Sequence, residues 1–294
     1  IKSILLLGLL AVSPWVSAQT IHVGGKNFTE QIILSELTAQ YLEEKGFKVE
    51  LERGLPPRGM REALLDGRVD VYWEYIGTAY LNDHKKLYKG ESREEIHSNL
   101  KRIDAENGLV WLNVSLANDT YALAMNAQVA QDKGIQSMAD LANYQNTHGG
   151  VSFATEPTFF SRKEDGLVPL ERKFAFKFNR EDVQRMEIGL IYGLLGDKTI
   201  DVGLVYSTDG RILSQNLLLL DGLEGYFPPY HLAPVINEKT LLKYPRLERY
   251  LNELSSVLTT ESITQLNSRV DVDKVLIWEA VEEFLISKGM LEGL

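Results

Sequence analysis

Apolar positions along this chain switch between two periods. Ile21 and Val23 flank polar His22, and Val49 and Leu51 alternate with Lys48 and Glu50, the two-residue repeat of short strands. Between them Ile33, Leu37 and Tyr41 recur at helical spacing, and Gly46 follows as a stop. Pro57 opens a second, shorter helix with Met60, Ala63 and Leu64 inside and Gly67 after its end, and Val69 to Trp73 reads as the next strand. Strand-like Trp111-Leu112-Asn113-Val114 closes this part. From Leu241 to Leu294 the pattern is helical, with Leu251, Leu254, Val257 and Leu258 on one stripe and Trp278, Val281, Phe284 and Leu285 on another; both stripes are expected to face the core. Strands alternating with helices predict α/β lobes.

One unit recurs. Asp66-Gly67-Arg68-Val69-Asp70-Val71 is echoed by Asp197-Lys198-Thr199-Ile200-Asp201-Val202, and in each copy a tyrosine stands five residues after the second aspartate, at Tyr75 and Tyr206. The echo predicts two lobes of similar build, each delivering a tyrosine at the carboxyl end of a strand, where open α/β sheets bind ligands. The segment from Ala122 to Gly225 is expected to be an inserted second lobe, ending where Pro228 and Pro229 forbid a helix. The expected division is 1–18 as signal peptide, 19–121 plus 226–294 as lobe I, and 122–225 as lobe II.

Composition narrows the function. Residues Ile4 to Val12 form a short uncharged apolar run after Lys2, and Val16-Ser17-Ala18 supplies small residues at signal-peptidase spacing, so export to the periplasm is expected, with Gln19 or Thr20 first in the mature protein. The absence of cysteine removes thiol catalysis, disulfides and lipid attachment from the expectation. A net charge of −10 lacks the basic face that nucleic acid requires. The five histidines show no metal-ligand spacing, no Gly-x-Ser-x-Gly elbow occurs, and Gly193-Leu194-Leu195-Gly196-Asp197-Lys198-Thr199 places Asp197 where a phosphate loop needs glycine, so it reads as a helix end and turn. Neither cofactor nor metal is expected, nor is enzymatic turnover.

Five segments remain. Gly24-Gly25-Lys26-Asn27-Phe28-Thr29-Glu30-Gln31 lies between the first strand and first helix, where Asn27 is expected to cap the helix with Glu30 three residues on. Val71 to Thr78, Asn118-Asp119-Thr120-Tyr121-Ala122-Leu123, Val205 to Ile212 and Phe227-Pro228-Pro229-Tyr230 follow in order. Together these resemble the signature stretches of the glycine betaine/choline (quaternary ammonium)-binding proteins of osmoregulatory ABC importers, over essentially the whole chain from Ile21. The resemblance implies a type II periplasmic-binding-protein fold: two α/β lobes with the ligand cleft between them, a monomer that delivers its ligand to a membrane permease. It further implies a cage of Tyr75, Tyr121, Tyr206 and Tyr230 around the ammonium, with Lys26, Thr78 and Arg162 on the carboxylate of a betaine and Gln31 and Asp119 close by. Lys163 is the rival of Arg162, and Tyr192 and Tyr226 are neighbours of Tyr206 and Tyr230. The chemistry suits the residues. A trimethylammonium group has no N–H to donate, whereas each electron-rich ring face offers roughly 0.5–2 kcal/mol when desolvated. Four faces give a few kcal/mol; micromolar binding needs about 8, so burial and contacts to the other end of the ligand supply the rest. A receptor for another small cation or zwitterion, such as an amino acid, is the alternative that Asp119 keeps open; an exported α/β hydrolase lacks a nucleophile or metal constellation.

Overall fold

The protein is described here by a computed structural model, which covers residues 20–163 and 165–292. The expected signal peptide, 1–18, lies outside the described residues. Among these, no helix is long and apolar enough to cross a membrane.

The described strands, in chain order, are β1 (Thr20–Lys26), β2 (Lys48–Leu55), β3 (Val71–Tyr75), β4 (Leu109–Trp111), β5 (Tyr121–Asn126), β6 (Phe153–Thr155), β7 (Val183–Arg185), β8 (Val202–Tyr206), β9 (Leu217–Leu219) and β10 (Leu232–Asn237). They form two five-stranded sheets of the same build, ordered β2-β1-β3-β10-β4 and β7-β6-β8-β5-β9. In each, one strand runs against its neighbours: β10 is antiparallel to β3 and β4, and β5 to β8 and β9. The sequence echo therefore marks a structural repeat, because β3 and β8 hold the same central place and each is preceded by a nine-residue helix, Pro57–Leu65 and Ile188–Gly196. The strand expected to continue to Val114 ends at Trp111, where the chain leaves for the second sheet.

Both faces of each sheet are covered, and the two-residue period sorts the side chains between them. In β3, Val71, Trp73 and Tyr75 face the helices Thr29–Glu44, Arg246–Val257, Thr260–Asp271 and Ile277–Ser287, while Tyr72 faces the helices Pro57–Leu65 and Arg93–Ala105. In β8, Val202 and Leu204 face one core and Val205 the other. Ile33, Leu37 and Tyr41 are buried as their spacing requires, and so are Leu251, Leu254 and Leu258. Trp278 corrects the expectation: it is 52% exposed at the start of its helix, and Val281 and Leu285 carry the buried stripe.

The chain passes between the sheets twice, through residues 112–120 and 220–231, and the two passages pair: Asn118 bridges His231, and the Leu232 N–H donates to the Ala117 carbonyl at 3.0 Å. Tyr121 is already the first residue of β5 in the second sheet. A third connection is made by the helix Thr260–Asp271 of the first lobe. Gly210 of the second lobe lies so close to its backbone at Asn267 and Ser268 that a Cβ there would collide with main-chain atoms.

Candidate functional site

Each sheet delivers its functional side chains at one edge. Lys26 ends β1 and Tyr75 ends β3; Thr155 ends β6 and Tyr206 ends β8; Tyr121 opens the antiparallel β5, directly opposite Tyr206. Tyr230 precedes β10 in the returning passage, where the Asn118 side chain accepts its N–H at 2.8 Å. These edges face one another across a cavity of about 710 Å³ lined by Lys26, Phe28, Glu30, Tyr75, Thr78, Asp119, Tyr121, Arg162, Tyr206, Thr208, Asp209, Tyr230, Asn267 and Asp271, among others. This is the size of a small-molecule site, roughly 300–1,000 Å³.

Of the nine residues expected at the site, eight line this cavity; the exception is Gln31. Gln31 is buried behind the wall, near the Tyr75 hydroxyl, and its amide has no well-formed hydrogen bond among the described residues. The neighbouring tyrosines separate cleanly. Tyr192 is buried in the core with its hydroxyl accepting the Tyr206 N–H at 2.9 Å, and Tyr226 donates to the Gly166 carbonyl at 2.9 Å; neither lines the cavity. Arg162 lines it and Lys163 does not.

The four rings differ in how they are held. Tyr121 and Tyr206 stack with centroids 5.2 Å apart, and the Arg162 guanidinium lies 5.0 Å from the Tyr121 centroid. Phe28 lies against Tyr75 at 6.3 Å, nearly parallel. Tyr230 packs on Gly77, where a Cβ would sit 2.8 Å from its ring and from the Pro229 carbonyl, so glycine is what lets this ring reach the cavity wall. Tyr75 and Tyr121 both donate to carboxylates at 2.6 Å, to Glu30 and Glu156 respectively.

The charged residues change the sequence reading. Asn27 does not cap the first helix: Phe28 is the N-cap and makes no side-chain cap bond, so Glu30 is free of that role. It is turned inward, accepting from Tyr75 and, at 2.9 Å, from the Asn267 side chain, which also donates to the Thr208 carbonyl of the second lobe. Burial pushes the Glu30 carboxyl up, and the hydrogen bonds from Tyr75 and Asn267 pull it back. Burial, then the adjacent Glu30 charge, drives Asp119 well above the usual carboxylate range, although Thr208 donates to it at 2.9 Å. Lys26 is paired: its ammonium lies 2.5 Å from Glu74, both side chains are almost wholly buried, and it sits 5.2 Å from the Tyr75 ring centroid. Arg162 forms a bidentate pair with Asp165 at 2.8 and 2.7 Å. A ligand carboxylate here would share each cation with a protein carboxylate. Glu30, Asp119, Asp209 and Asp271 also line the wall; Asp209 accepts two hydrogen bonds from Arg211, at 2.9 and 2.7 Å, and burial disfavours the charged forms of Glu30 and Asp119. Among the described residues no group of His, Asp and Glu is arranged to hold a metal.

Glu30, Phe28, Asn267 and Glu156 were not singled out for the site by the sequence. Asn267 comes from a helix 237 positions away from Glu30, and nothing local announces it.

Residues 19–287 match a family model described as the substrate binding domain of ABC-type glycine betaine transport system. A glycine-betaine-binding protein of Pseudomonas aeruginosa is 35% identical over 94% of this chain and 90% of its own length. The glycine betaine-binding protein YehZ of Escherichia coli is 28% identical over 97% of this chain and 96% of its own. The solved structure of apo YehZ superposes with a TM-score of 0.84 at 26% identity, covering 93% of this chain and all of that one.

Proposed function

The chain belongs to the family of substrate-binding domains of ABC-type glycine betaine transport systems, and on that premise we propose that it captures a quaternary ammonium solute between its lobes and delivers it to a membrane permease. Tyr75, Tyr121, Tyr206 and Tyr230 surround the trimethylammonium group; Thr78, Arg162 and Lys26 meet the polar end of the ligand. Capture takes place in the periplasm, by a monomer, without turnover of the ligand. One observation carries this reading: from thirteen tyrosines scattered along the sequence, the fold gathers these four at the wall of one cavity. The aromatic lining supports a cationic group in the ligand that cannot donate hydrogen bonds. The names of the Pseudomonas and Escherichia relatives point to the same ligand class.

Contact with both lobes gives the ligand a reason to close them. Tyr75 and Lys26 belong to the first lobe, Tyr206 and Arg162 to the second, and a ligand shifts an open–closed equilibrium only as far as it binds the two states differently. Isothermal titration calorimetry with glycine betaine and choline in parallel tests the proposal. Binding of glycine betaine, with choline about tenfold or more weaker, is expected if Arg162, Thr78 and Lys26 hold a carboxylate through charge-assisted bonds of roughly 1.5–3 kcal/mol each. Equal binding would keep the cage and remove the carboxylate contact; heat with neither ligand, or with an amino acid alone, would overturn the assignment.

A further inference from the structure

Two carboxylates outside the expected site stand behind the cage. Glu30 is the second residue of the helix that follows β1, and Glu156 follows β6 and begins the helix Pro157–Ser161. β1 and β6 hold the same place in their sheets, next to β3 and β8, so each lobe presents one glutamate just beyond the strand beside its central strand, Glu156 directly after β6 and Glu30 four residues after β1. Each accepts a phenolic hydrogen bond of 2.6 Å, Glu30 from Tyr75 and Glu156 from Tyr121. Such a bond favours the ionised form of its acceptor, and for Glu30 it offsets part of the burial that pushes its carboxyl up. Among the described residues neither Tyr206 nor Tyr230 donates to a carboxylate.

We propose that Glu30 and Glu156 are positioning residues of the cage: each locks one tyrosine ring and loads it with negative charge, so the site recognises its ligand by charge as well as by shape. The proposal rests on the cage reading above. Its physics is direct. A phenol that donates to a carboxylate shifts electron density into its ring and deepens the negative face that attracts a cation. The carboxylate adds its own field, and in a cleft emptied of water by closure that field is weakly screened. Position is fixed as well. The second Glu30 oxygen is tied by Asn267, which also binds the Thr208 carbonyl, so the Tyr75 ring is referred to both lobes at once. The Arg162 guanidinium lies over the Tyr121 ring, so the Glu156 bond also balances a cation that would otherwise repel the ligand.

The test separates charge from shape. The full chain and its E30Q and E156Q variants are titrated with choline and with tert-butylethanol, in which carbon replaces the nitrogen; glycine betaine and the tert-butylacetic acid anion form a second such pair. Weakly bound carbon analogues are measured by displacement of the ammonium ligand. Glutamine still accepts the tyrosine hydroxyl, so ring position is kept while charge is lost. Each variant is expected to weaken the ligand that carries the ammonium about three- to tenfold without weakening its carbon analogue, and E30Q/E156Q to combine the two losses. An equal loss for both members of a pair, or no loss, would overturn the proposal. E156Q, at a half-buried position, carries the test by itself if E30Q does not fold. A wild-type protein that binds neither choline nor glycine betaine would overturn the cage reading first and this inference with it, whereas wild-type binding with unchanged variants would overturn this inference alone.

Discussion

Replacing Tyr206 and Tyr230 together by alanine is expected to weaken binding of a quaternary ammonium ligand about a hundredfold, while Tyr144→Ala leaves it unchanged. Two ring faces at roughly 0.5–2 kcal/mol each remove about 1–4 kcal/mol, and each 1.4 kcal/mol is a factor of ten. These two rings are the right pair to remove. Tyr75 and Tyr121 anchor Glu30 and Glu156, so truncating them takes a donor from each carboxylate and mixes stability with recognition. Tyr144 is a fair control: it stacks on His148 with centroids 4.6 Å apart, away from the cavity. Phenylalanine at positions 206 and 230 keeps the ring faces and is expected to keep most of the affinity. Calorimetry of the three variants beside wild type checks all of this; a Tyr144→Ala loss equal to that of the double alanine variant would contradict the cage.

The second large effect is on stability. Lys26→Met is expected to lower the unfolding free energy by about 3–5 kcal/mol, because it leaves the Glu74 carboxylate buried without its counter-charge. The Tyr72 hydroxyl at 3.0 Å and the Tyr75 N–H at 2.7 Å still bind Glu74, but neither carries charge. The double variant K26M/E74L removes both charges and is expected to recover much of the loss, since an apolar pair of similar volume often replaces a buried ion pair without penalty. Urea denaturation measures both. A Lys26→Met protein as stable as wild type would show that the pair does not support the fold. The double variant, once stable, also isolates the second role of Lys26: it is expected to weaken glycine betaine and spare choline.

The division between what could and could not be read from the sequence follows from range. Alternation in Val71 to Tyr75 and helical spacing in Ile33, Leu37 and Tyr41 report local geometry, and the structure buries them accordingly. The echo of Asp66 to Tyr75 in Asp197 to Tyr206 is likewise local, one helix–turn–strand unit used twice, and it identified the repeated build of the sheets. Polar pairing across the chain left no such trace. Lys26 and Glu74 are 48 positions apart, Tyr75 and Glu30 are 45 apart, and Tyr121 and Glu156 are 35 apart. Glu30 looked like part of a helix cap because its spacing from Asn27 fits one; burial against Tyr75 and Asn267 is a tertiary fact that overrides it. Trp278 misled for the opposite reason, since a large apolar residue at helical spacing need not be on the buried side of the first turn. The four tyrosines came from family resemblance, and periodicity alone would not have chosen them over Tyr192 or Tyr226.

The measurement that bears most directly on the cage is a crystal structure of the protein with glycine betaine bound. The account predicts the trimethylammonium group among the rings of Tyr75, Tyr121, Tyr206 and Tyr230, with the carboxylate toward Thr78 and Arg162. A ligand seated elsewhere, or one whose ammonium group touches none of the four rings, would contradict it.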